Sequence, residues 1–469
     1  MMWRWNEFAD NAAVVTDDEQ VITYKQLGEM SESLSRHLIA RALVLCLNNN
    51  SIGALLGYVT CVQYKSVAIL MSDRLRDESI RAYVERYKPS FVWAPDYLVQ
   101  SCLAQNSGMR VVYSVFGYCL LQTAYGSWYP LHDELALLLA TSGTTGNPKL
   151  VRLSYTNVQS NAEAIIDYLH IDESQRAMLT LPIHYSFGLS IVNTHLLSGA
   201  SIILSSDSMV QKPFWLKMKQ LEATSLSGVP FTFDTLQKLN LLILDLPHLQ
   251  TITQAGGKLQ AQVHQTMASY AVQAHKRFFV MYGQTEATAR MSFLPAESSL
   301  QKIGSIGVPI KGRQFELYDE FGHAIHKPFH AGELVYKGKN VMLGYANGGA
   351  DLAKGDEQKG VLYTGDCACF DEDGYYYITG RLNRWIKYMG TRVQLDDIES
   401  MIMSIDDTID VACTGNDDGM VLYVTNTSTS DFLKQRLYDW IGIRKSFIRV
   451  VEVSEIPRNA AGKILYHQL

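Results

Sequence analysis

The residues from Leu138 to Leu150 read LLATSGTTGNPKL, an apolar run that leads into a loop rich in glycine and hydroxyl side chains. Six of the nine residues from Thr141 to Lys149 are Thr, Ser or Gly. Glycine lets the backbone take positive φ angles and approach a ligand closely, and hydroxyl and N–H groups can surround phosphate oxygens. Lys149 adds a mobile positive charge for the same anion. The stretch therefore predicts a loop that binds a nucleoside triphosphate.

This loop differs from a Walker A motif, which requires G-x-x-x-x-G-K-[ST]. Pro148 precedes the lysine and Leu150 follows it. Because proline disfavours helix for the residue before it and lacks an N–H donor, a helix N-terminus directly beneath a phosphate is not expected. Taken alone, the loop is equally consistent with a surface turn of low complexity.

The pattern [ST]-S-G-[ST]-[ST]-G-x-P-K instead resembles the phosphate loop of the adenylate-forming (AMP-binding) superfamily. That superfamily includes acyl-CoA synthetases, non-ribosomal-peptide adenylation domains and luciferases. The resemblance implies ATP as a substrate, and it implies that the phosphates contact Thr141, Ser142, Gly143, Thr144, Thr145, Gly146 and Lys149.

Composition narrows the class of protein and its partners. The chain has 469 residues, 47% of them hydrophobic, with a formal net charge of -6 and a pI near 6.1. No dense run of Lys or Arg is present, which argues against nucleic acid as a partner. The first residues, MMWRWNEFADN, lack the apolar core of a signal peptide, and no stretch has the uncharged length of a membrane span. We therefore expect a cytoplasmic protein without stable membrane insertion.

Strand-like and helix-like segments alternate through the first part of the chain. Gln20 to Tyr24 is predicted as a strand, Lys25 to Arg41 as a helix, Ala42 to Asn48 as a strand, and Ser190 to Leu197 as a helix. This alternation predicts a doubly wound α/β layer, in which ligand loops lie beyond the carboxyl ends of the strands.

From Gly304 the residue pattern changes and predicts short strands separated by turns. The predicted fold is α/β, with a large N-terminal domain (1–382) of doubly wound mixed sheets and a β-rich subdomain at about 304–382. A small, mobile α+β C-terminal domain is predicted over 383–469.

A second informative stretch is FVMYGQTEATA, from Phe279 to Ala289. An aromatic ring, a hydroxyl and a carboxylate at one sheet edge suit adenine, a phosphate and magnesium. The order Y-G-x-T-E also resembles the adenine and metal motif of the superfamily. By that resemblance Tyr282 and Gly283 contact the nucleotide, Thr285 contacts the phosphate, and Glu286 binds Mg²⁺, although a glutamate here could instead simply cap a helix.

A third stretch, YTGD, ends at Asp366 and is followed by the pair Gly380-Arg381. A carboxylate can accept hydrogen bonds from both ribose hydroxyls at once. In the superfamily the aspartate of TGD holds the ribose and the arginine assists, which implies these roles for Asp366 and Arg381. The intervening Asp373-Gly374 predicts the turn of a β-hairpin.

A fourth stretch lies near the C-terminus, where Pro457, Gly462 and Lys463 match the ending P-x-x-x-x-G-K of the superfamily. The resemblance assigns Lys463 to catalysis, as the cation that stabilises charge while the acid attacks the α-phosphate. Without the other motifs, a terminal lysine is usually a solvated charge.

Two further regions extend the resemblance. Asn383 occupies the position of the superfamily's hinge residue, which is often Asp or Lys. The C-terminal domain rotates about this residue between the half-reactions. The resemblance also places Gly390 beside the pantetheine tunnel. The stretches LPIHYSFGLS and QAGGK match the walls of the acid pocket. The implied pocket residues are His184, Tyr185, Ser186, Gly188, Ala255 and Gly257, and the neighbouring Gly256 is implied to contact the nucleotide.

These motifs together predict a ligase that converts a carboxylic acid and ATP into acyl-AMP and pyrophosphate and then transfers the acyl group to a thiol. The thiol is that of CoA or of a carrier protein's phosphopantetheine. The aspartate that usually holds the ammonium of an amino acid is missing at His184 to Gly188, which favours an aryl, fatty or other small acid. The alternatives are a stand-alone amino-acid adenylation enzyme that loads a carrier protein, and an inactive nucleotide-binding homologue.

Overall fold

A computed structural model describes residues 3–105, 108–126, 128–140, 149–239, 244–382, 384–388, 391–403, 409–416, 418–425, 430–458 and 464–469. The helices are α1 (Tyr24–Ser35), α2 (Ile52–Gln63), α3 (Asp77–Tyr87), α4 (Asp96–Gln105), α5 (Tyr155–Leu169), α6 (Ser186–Leu197), α7 (Lys212–Gln220), α8 (Pro230–Lys238), α9 (Ala261–Gln273), α10 (Leu395–Met403) and α11 (Ser430–Ile441).

The strands alternate with these helices and then continue alone. They are β1 (Ala12–Val15), β2 (Val21–Thr23), β3 (Leu43–Asn48), β4 (Val67–Ser72), β5 (Phe91–Pro95), β6 (Arg110–Val115), β7 (Tyr118–Gln122), β8 (Leu135–Ala140), β9 (Leu150–Ser154), β10 (Arg176–Leu179), β11 (Ser201–Leu204), β12 (Ser225–Gly228), β13 (Thr251–Gln254), β14 (Arg277–Tyr282), β15 (Ser292–Leu294), β16 (Val308–Pro309), β17 (Gln314–Tyr318), β18 (Gly332–Lys337), β19 (Gly344–Ala346), β20 (Val361–Phe370), β21 (Tyr376–Arg381), β22 (Trp385–Tyr388), β23 (Thr391–Gln394), β24 (Val411–Asn416), β25 (Gly419–Val424) and β26 (Ile448–Glu452).

Nine of the described strands form a first sheet in the order β16-β15-β14-β13-β12-β10-β11-β1-β2. Strands β10 to β14 run parallel to one another, and β15 and β16 return antiparallel at one edge. The carboxyl ends of β12, β13 and β14 therefore meet on one side of the sheet, where the ligand loops of such folds lie.

The second sheet has eight of the described strands, in the order β19-β9-β8-β4-β3-β5-β7-β6. Its centre is parallel, and β9 returns antiparallel to β8. Residues 141–149 connect these two strands, so the loop predicted to bind phosphate leaves the carboxyl end of β8 as the sequence indicated.

Two helices are buried around their whole circumference, over Gly53–Gln63 in α2 and Phe187–Leu197 in α6. A helix that is apolar on all sides belongs to the core of a large protein. The largest core cluster joins residues of both helices to strands of both large sheets. The start of α6, where the acid pocket was predicted, is therefore anchored in the core.

Two predicted helix boundaries are wrong. Helix α1 ends at Ser35 rather than Arg41, because the N–H groups of His37 and Leu38 donate into tighter turns and Arg41 takes a left-handed φ of 55°. Helix α6 begins at Ser186 rather than Ser190. Its N-terminal flanking residue, Tyr185, makes no side-chain capping bond, so the usual sequence signal for a helix start is missing.

The predicted β-rich region contains a four-stranded sheet in the order β17-β18-β20-β21. Gly374, with a φ of 80°, lies in the turn between β20 and β21, which confirms the predicted hairpin. At the C-terminal end, α10 and α11 pack with β22 to β26 around a cluster of buried residues between Ile386 and Ile448. The domain boundary at residue 383 stays a prediction.

Among the described residues, none of the helices combines the length and the apolar character that crossing a membrane requires.

Candidate active site

The turn after β14 is the centre of the site. A Cβ atom added to Gly283 would lie 1.7 Å from the carbonyl oxygen of Ala289, so only glycine fits there. The chain then forms a short helical turn over Thr285–Ala287, and Thr288 and Ala289 take positive φ angles of 60° and 117°. Such backbone strain clusters at functional sites. The turn presents Thr285 and Glu286 at the carboxyl end of the sheet.

A hydrogen-bonded network surrounds the buried carboxylate of Asp366. The Tyr282 hydroxyl donates to its Oδ2 at 2.5 Å, and the Gln284 amide donates to the same oxygen at 2.9 Å. Arg381, directly opposite on β21, places its Nε 3.2 Å from Oδ1. Three residues predicted to bind the nucleotide are thus brought together by strands β14, β20 and β21.

This network fixes the protonation of Tyr282. Burial raises the pKa of its hydroxyl well above the usual value, and the charge of Asp366 and the hydrogen bond to it raise that pKa further. The phenol therefore remains neutral and remains a donor to the carboxylate. An orienting donor of this kind holds Asp366 in one rotamer, with lone pairs left to accept a ligand hydroxyl.

Glu286 is partly exposed and has one orienting partner, the Tyr345 hydroxyl, which donates to its Oε1 at 2.9 Å. The Nζ atom of Lys149 lies 4.1 Å from the centre of the Tyr345 ring. Lys149 closes the predicted phosphate loop, so this contact brings the end of that loop beside Glu286.

The donor set around Glu286 fits magnesium. No group of three or more His, Cys, Asp or Glu side chains suited to a metal occurs in the described residues. Mg²⁺ at phosphate sites needs only one or two carboxylates, because phosphate oxygens and water complete its shell. The Oε2 atom of Glu286, which has no hydrogen-bond partner among the described residues, would be such a ligand.

The start of α6 joins this turn to the predicted acid pocket. The hydroxyls of Ser186 and Thr285 are 3.4 Å apart. A Cβ atom added to Gly188 would lie 2.3 Å from the carbonyl oxygen of Pro182, so the segment before the helix can fold tightly against its first turn. Ser186, one of the predicted pocket residues, therefore lies directly beside the predicted phosphate contact.

His184 is held neutral by its surroundings. Burial lowers the pKa of its imidazole to about 4, an effect opposed by the charge of Asp73 and the backbone of Asn48. Its Nδ1 atom is buried and has no hydrogen-bond partner among the described residues. The ring packs 4.6 Å from that of Tyr185. A neutral imidazole can orient an acid but cannot supply a charge to it.

The stretch QAGGK, predicted as a wall of the acid pocket, forms a turn at the end of β13. The buried Gln254 side chain donates to the carbonyl oxygen of Gly257 at 2.9 Å, and Gly256 takes a φ of 88°. Ala255 is buried, whereas Gly256 and Gly257 are exposed. This tight turn leaves the backbone accessible next to the ends of β12 and β14.

Several predicted site residues lie outside the described part of the chain. They are Thr141, Ser142, Gly143, Thr144, Thr145, Gly146, Asn383, Gly390 and Lys463. The described flanks of Lys463 lie next to each other, because Arg458 pairs with Ile464 and the N–H of Leu465 donates to the Pro457 carbonyl.

Three residues were missed by the sequence interpretation. Gln284 bridges Tyr282, Asp366 and the Thr364 carbonyl. Tyr345 orients Glu286 from 59 residues away. Arg290 is buried beside the pocket helix. The position of Gln284 inside the Y-G-Q-T-E motif could have identified it from the sequence. No local sequence pattern identified Tyr345 or Arg290.

The AMP-binding enzyme family matches residues 2–346 of this chain. The match covers well over half of the sequence, and the chain therefore belongs to the AMP-binding enzyme family. This confirms the resemblance, the predicted fold class and the prediction of an adenylate-forming enzyme.

Individual proteins agree with the family. The chain is 27% identical over 350 residues to peroxisomal OPC-8:0-CoA ligase 1 of Arabidopsis thaliana, a match that spans 72% of this chain and 64% of that enzyme. It is 24% identical over 473 residues to the 2-succinylbenzoate–CoA ligase of Oceanobacillus iheyensis, spanning 98% of this chain and 96% of that enzyme.

The fold is shared with o-succinylbenzoate CoA synthetase of Bacillus subtilis. A structure of that enzyme with its acyl-adenylate intermediate has a TM-score of 0.79 at 20% identity and covers 99% of this chain and 97% of its own. A second structure, with ATP and a magnesium ion, has a TM-score of 0.77 at 22% identity and covers 98% and 97%.

Proposed function

We propose that the protein is an ATP-dependent ligase that joins a carboxylic acid to coenzyme A. A carboxylate oxygen attacks the α-phosphorus of ATP and pyrophosphate leaves; the CoA sulfur then attacks the acyl carbon and AMP leaves. The observation that carries the proposal is the network of Tyr282, Gln284 and Arg381 around Asp366, placed beside Glu286 at one sheet edge. The names of the relatives, which are CoA ligases, support CoA as the thiol.

On the nucleotide side, the residues bind and orient. Asp366 accepts hydrogen bonds from the ribose hydroxyls, and the ring of Tyr282 contacts adenine. The hydroxyl of Thr285 contacts the α-phosphate, 3.4 Å from the Ser186 hydroxyl on the acid side. This arrangement brings the acid and the α-phosphorus together, and positioning of this kind supplies much of the rate enhancement in such transfers.

Charge on the triphosphate is met by several cations. The loop 141–146 and Lys149 hold the β- and γ-phosphates, and Lys463 stabilises the charge that develops as pyrophosphate departs. Glu286 would hold Mg²⁺, which when bound neutralises phosphate charge and orients the leaving group.

The second half-reaction uses the C-terminal unit from residue 383. Its separate core, between Ile386 and Ile448, supports a rigid body that turns about Asn383 and brings Gly390 to the site. The Met403 sulfur lies 3.7 Å from the Gln260 side chain, next to the QAGGK turn, so this unit already borders the acid pocket.

The acid is a small carboxylic acid rather than an α-amino acid. An ammonium group requires an anionic partner, whereas the pocket side offers the neutral His184 and the cationic Arg290. The relative that matches nearly the full chain is named for 2-succinylbenzoate, an aromatic acid. The cytoplasmic location stays a prediction.

The test is acid-dependent exchange of labelled pyrophosphate into ATP, measured over a panel of aryl, fatty and amino acids. We expect exchange with a small acid in the absence of any thiol, and AMP release only when CoA is added. A parallel reaction with a phosphopantetheinylated carrier protein separates the two acceptors. ATP hydrolysis without exchange for every acid would contradict the proposal.

A further inference from the structure

Arg290 is a buried cation at the base of the acid side. It lies between the turn after β14 and strand β15 and is 3% exposed. Its backbone is clamped on both sides, since the amides of Asn161 and Asn340 both donate to its carbonyl oxygen, at 2.8 and 3.0 Å. The guanidinium lies 3.9 Å from the centre of the Phe187 ring in α6, and its Nε donates to the Met281 sulfur at 3.3 Å.

Among the described residues, this cation has no anionic partner. No carboxylate of the described residues lies within 4.0 Å of its guanidinium nitrogens. Burial lowers the pKa of Arg290, an effect opposed by the neighbouring Tyr168, yet an arginine side chain remains protonated in proteins. A buried charge without a partner is costly, so proteins rarely keep one without use.

The other fully buried arginine shows the usual solution. Arg152 is 0% exposed and pairs with Glu357 at 2.5 Å, while its remaining N–H groups donate to backbone carbonyls. The same chain therefore pairs one buried guanidinium with a carboxylate and, among the described residues, gives the other only uncharged neighbours.

Arg290 faces an internal cavity whose lining surface is mostly apolar and includes several polar side chains. Helix α6 contributes Ser190, Thr194 and His195, and strands β12 and β13 contribute Ser227 and Thr253. The hydroxyls of Ser227 and Thr253 bond to each other, and burial lowers the pKa of His195 to about 4, so this imidazole is neutral. Among the residues that line the cavity, the guanidinium is the one that carries a charge.

The cavity and the predicted acid pocket share structural elements. The strands β12 and β13 that line it lead into the QAGGK wall, and the helix that lines it begins at Ser186, which touches Thr285. The cavity is small, about 30 Å³, so a compact group fits beside the guanidinium better than a long chain does.

We propose that Arg290 binds a second acidic group of the substrate, so that the preferred acids are short dicarboxylic acids. This inference rests on the proposed ligase function and names the substrate class of that same site. One carboxylate of the acid reaches the α-phosphate beside Thr285, and the other enters the cavity and pairs with the guanidinium. Arg290 is then the specificity-determining residue, because a monocarboxylic acid leaves its charge unpaired.

The experiment compares matched acids in the pyrophosphate exchange assay. The pairs are succinate with butyrate, glutarate with valerate, adipate with hexanoate, and 2-succinylbenzoate with 4-oxo-4-phenylbutanoate. For the pair that fits the pocket best, we expect kcat/KM to favour the diacid by about 100-fold, the scale of a buried charge pair that loses one partner. In R290M this ratio falls towards one because KM for the diacid rises. In R290K the ratio is higher than in R290M, since lysine keeps the positive charge. R36M, which alters an exposed arginine directly after α1, serves as the matched control and keeps the wild-type ratio.

The outcomes separate the two claims. Exchange with monoacids as efficient as with their diacid partners in the wild-type enzyme, or an unchanged ratio in R290M, overturns the inference and leaves the ligase intact. Absence of exchange with every acid overturns the ligase itself. If thermal unfolding shows that R290M does not fold, the wild-type ratio and R290K decide the matter.

Discussion

The nucleotide side and the acid side of the site treat charge in opposite ways. Around Asp366, the donors Tyr282, Gln284 and Arg381 satisfy both carboxylate oxygens before any ligand arrives. On the acid side, the Arg290 guanidinium is buried without a carboxylate among the described residues, and the neutral His184 keeps an unpartnered Nδ1. One half of the site is electrostatically complete and the other half is not.

This difference follows from what each half has to bind. ATP is constant, so its binding groups can be oriented in advance and their charges balanced within the protein. The acid is the variable partner, and a pocket that leaves one charge unsatisfied selects the substrate that satisfies it. Selectivity of this kind is strong, because a wrong substrate leaves a buried polar group unpaired.

The largest expected effect tests the nucleotide side through Lys463→Ala. Under the proposed function, this change removes the cation that stabilises the departing pyrophosphate and should lower acyl-AMP formation by roughly 10³-fold. Thioester formation from supplied acyl-AMP and CoA should be largely retained. Single-turnover assays of each half-reaction measure this, with Lys445→Ala at an exposed lysine as the control. Equal loss of both half-reactions would show that Lys463 is not confined to adenylation.

The second expected effect concerns the completed network. Asp366→Asn replaces an acceptor oxygen with an NH₂ group, which then faces the donors Tyr282 or Arg381. We expect KM for ATP to rise by about 100-fold while the ratio between diacid and monoacid stays unchanged. Exchange kinetics at varied ATP measure both quantities, and Asp418→Asn at an exposed turn is the control. A change in the ratio between diacid and monoacid would show that the nucleotide side and the acid side do not act independently.

The third effect concerns stability on the acid side. The pKa of His195 is lowered to about 4 from 6.5, so between these values the unfolded chain binds a proton that the folded chain does not. The contribution of this group to the free energy of unfolding is therefore fully present above pH 6.5. It falls by at most roughly 3 kcal/mol as the pH is lowered to 4. Denaturant unfolding at several pH values measures this. Between pH 6.5 and 4, the free energy of unfolding should fall less for His195→Gln than for the wild type. Parallel pH curves for the two proteins would contradict this assignment.

The smallest effect is expected for Tyr345→Phe. This change removes the hydrogen bond that orients Glu286 but keeps the ring beside Lys149. The Mg²⁺ concentration needed for half-maximal exchange should rise by about tenfold, as for other residues that orient a metal ligand. Tyr363→Phe, at an exposed tyrosine of β20, is the matched control. An unchanged Mg²⁺ requirement would place the metal away from Glu286.

The nucleotide side of the site was the side that the sequence predicted. Tyr282, Glu286, Asp366 and Arg381 lie in short local motifs at strand ends, and parallel strands bring such ends together, so their meeting could be expected. The family match confirms the class of enzyme that these motifs indicated.

The incomplete half could not be predicted in the same way. Arg290 follows the Y-G-Q-T-E motif as an isolated arginine, and its burial depends on Phe187 and Met281, which come from other elements. Tyr345 reaches Glu286 only because β19 pairs with β9. Local periodicity does not encode such distant partners, and the missing cap at Tyr185 also hid the true start of α6.

The central claim, that the acid is activated at the α-phosphate, has a direct isotopic test. The enzyme is incubated with ATP, CoA and an acid whose carboxylate carries ¹⁸O, and the products are analysed by mass spectrometry. Attack of the carboxylate on the α-phosphorus, followed by thiolysis at the acyl carbon, leaves one ¹⁸O atom in AMP and none in pyrophosphate. Label in inorganic phosphate, with ADP in place of AMP, would contradict the account.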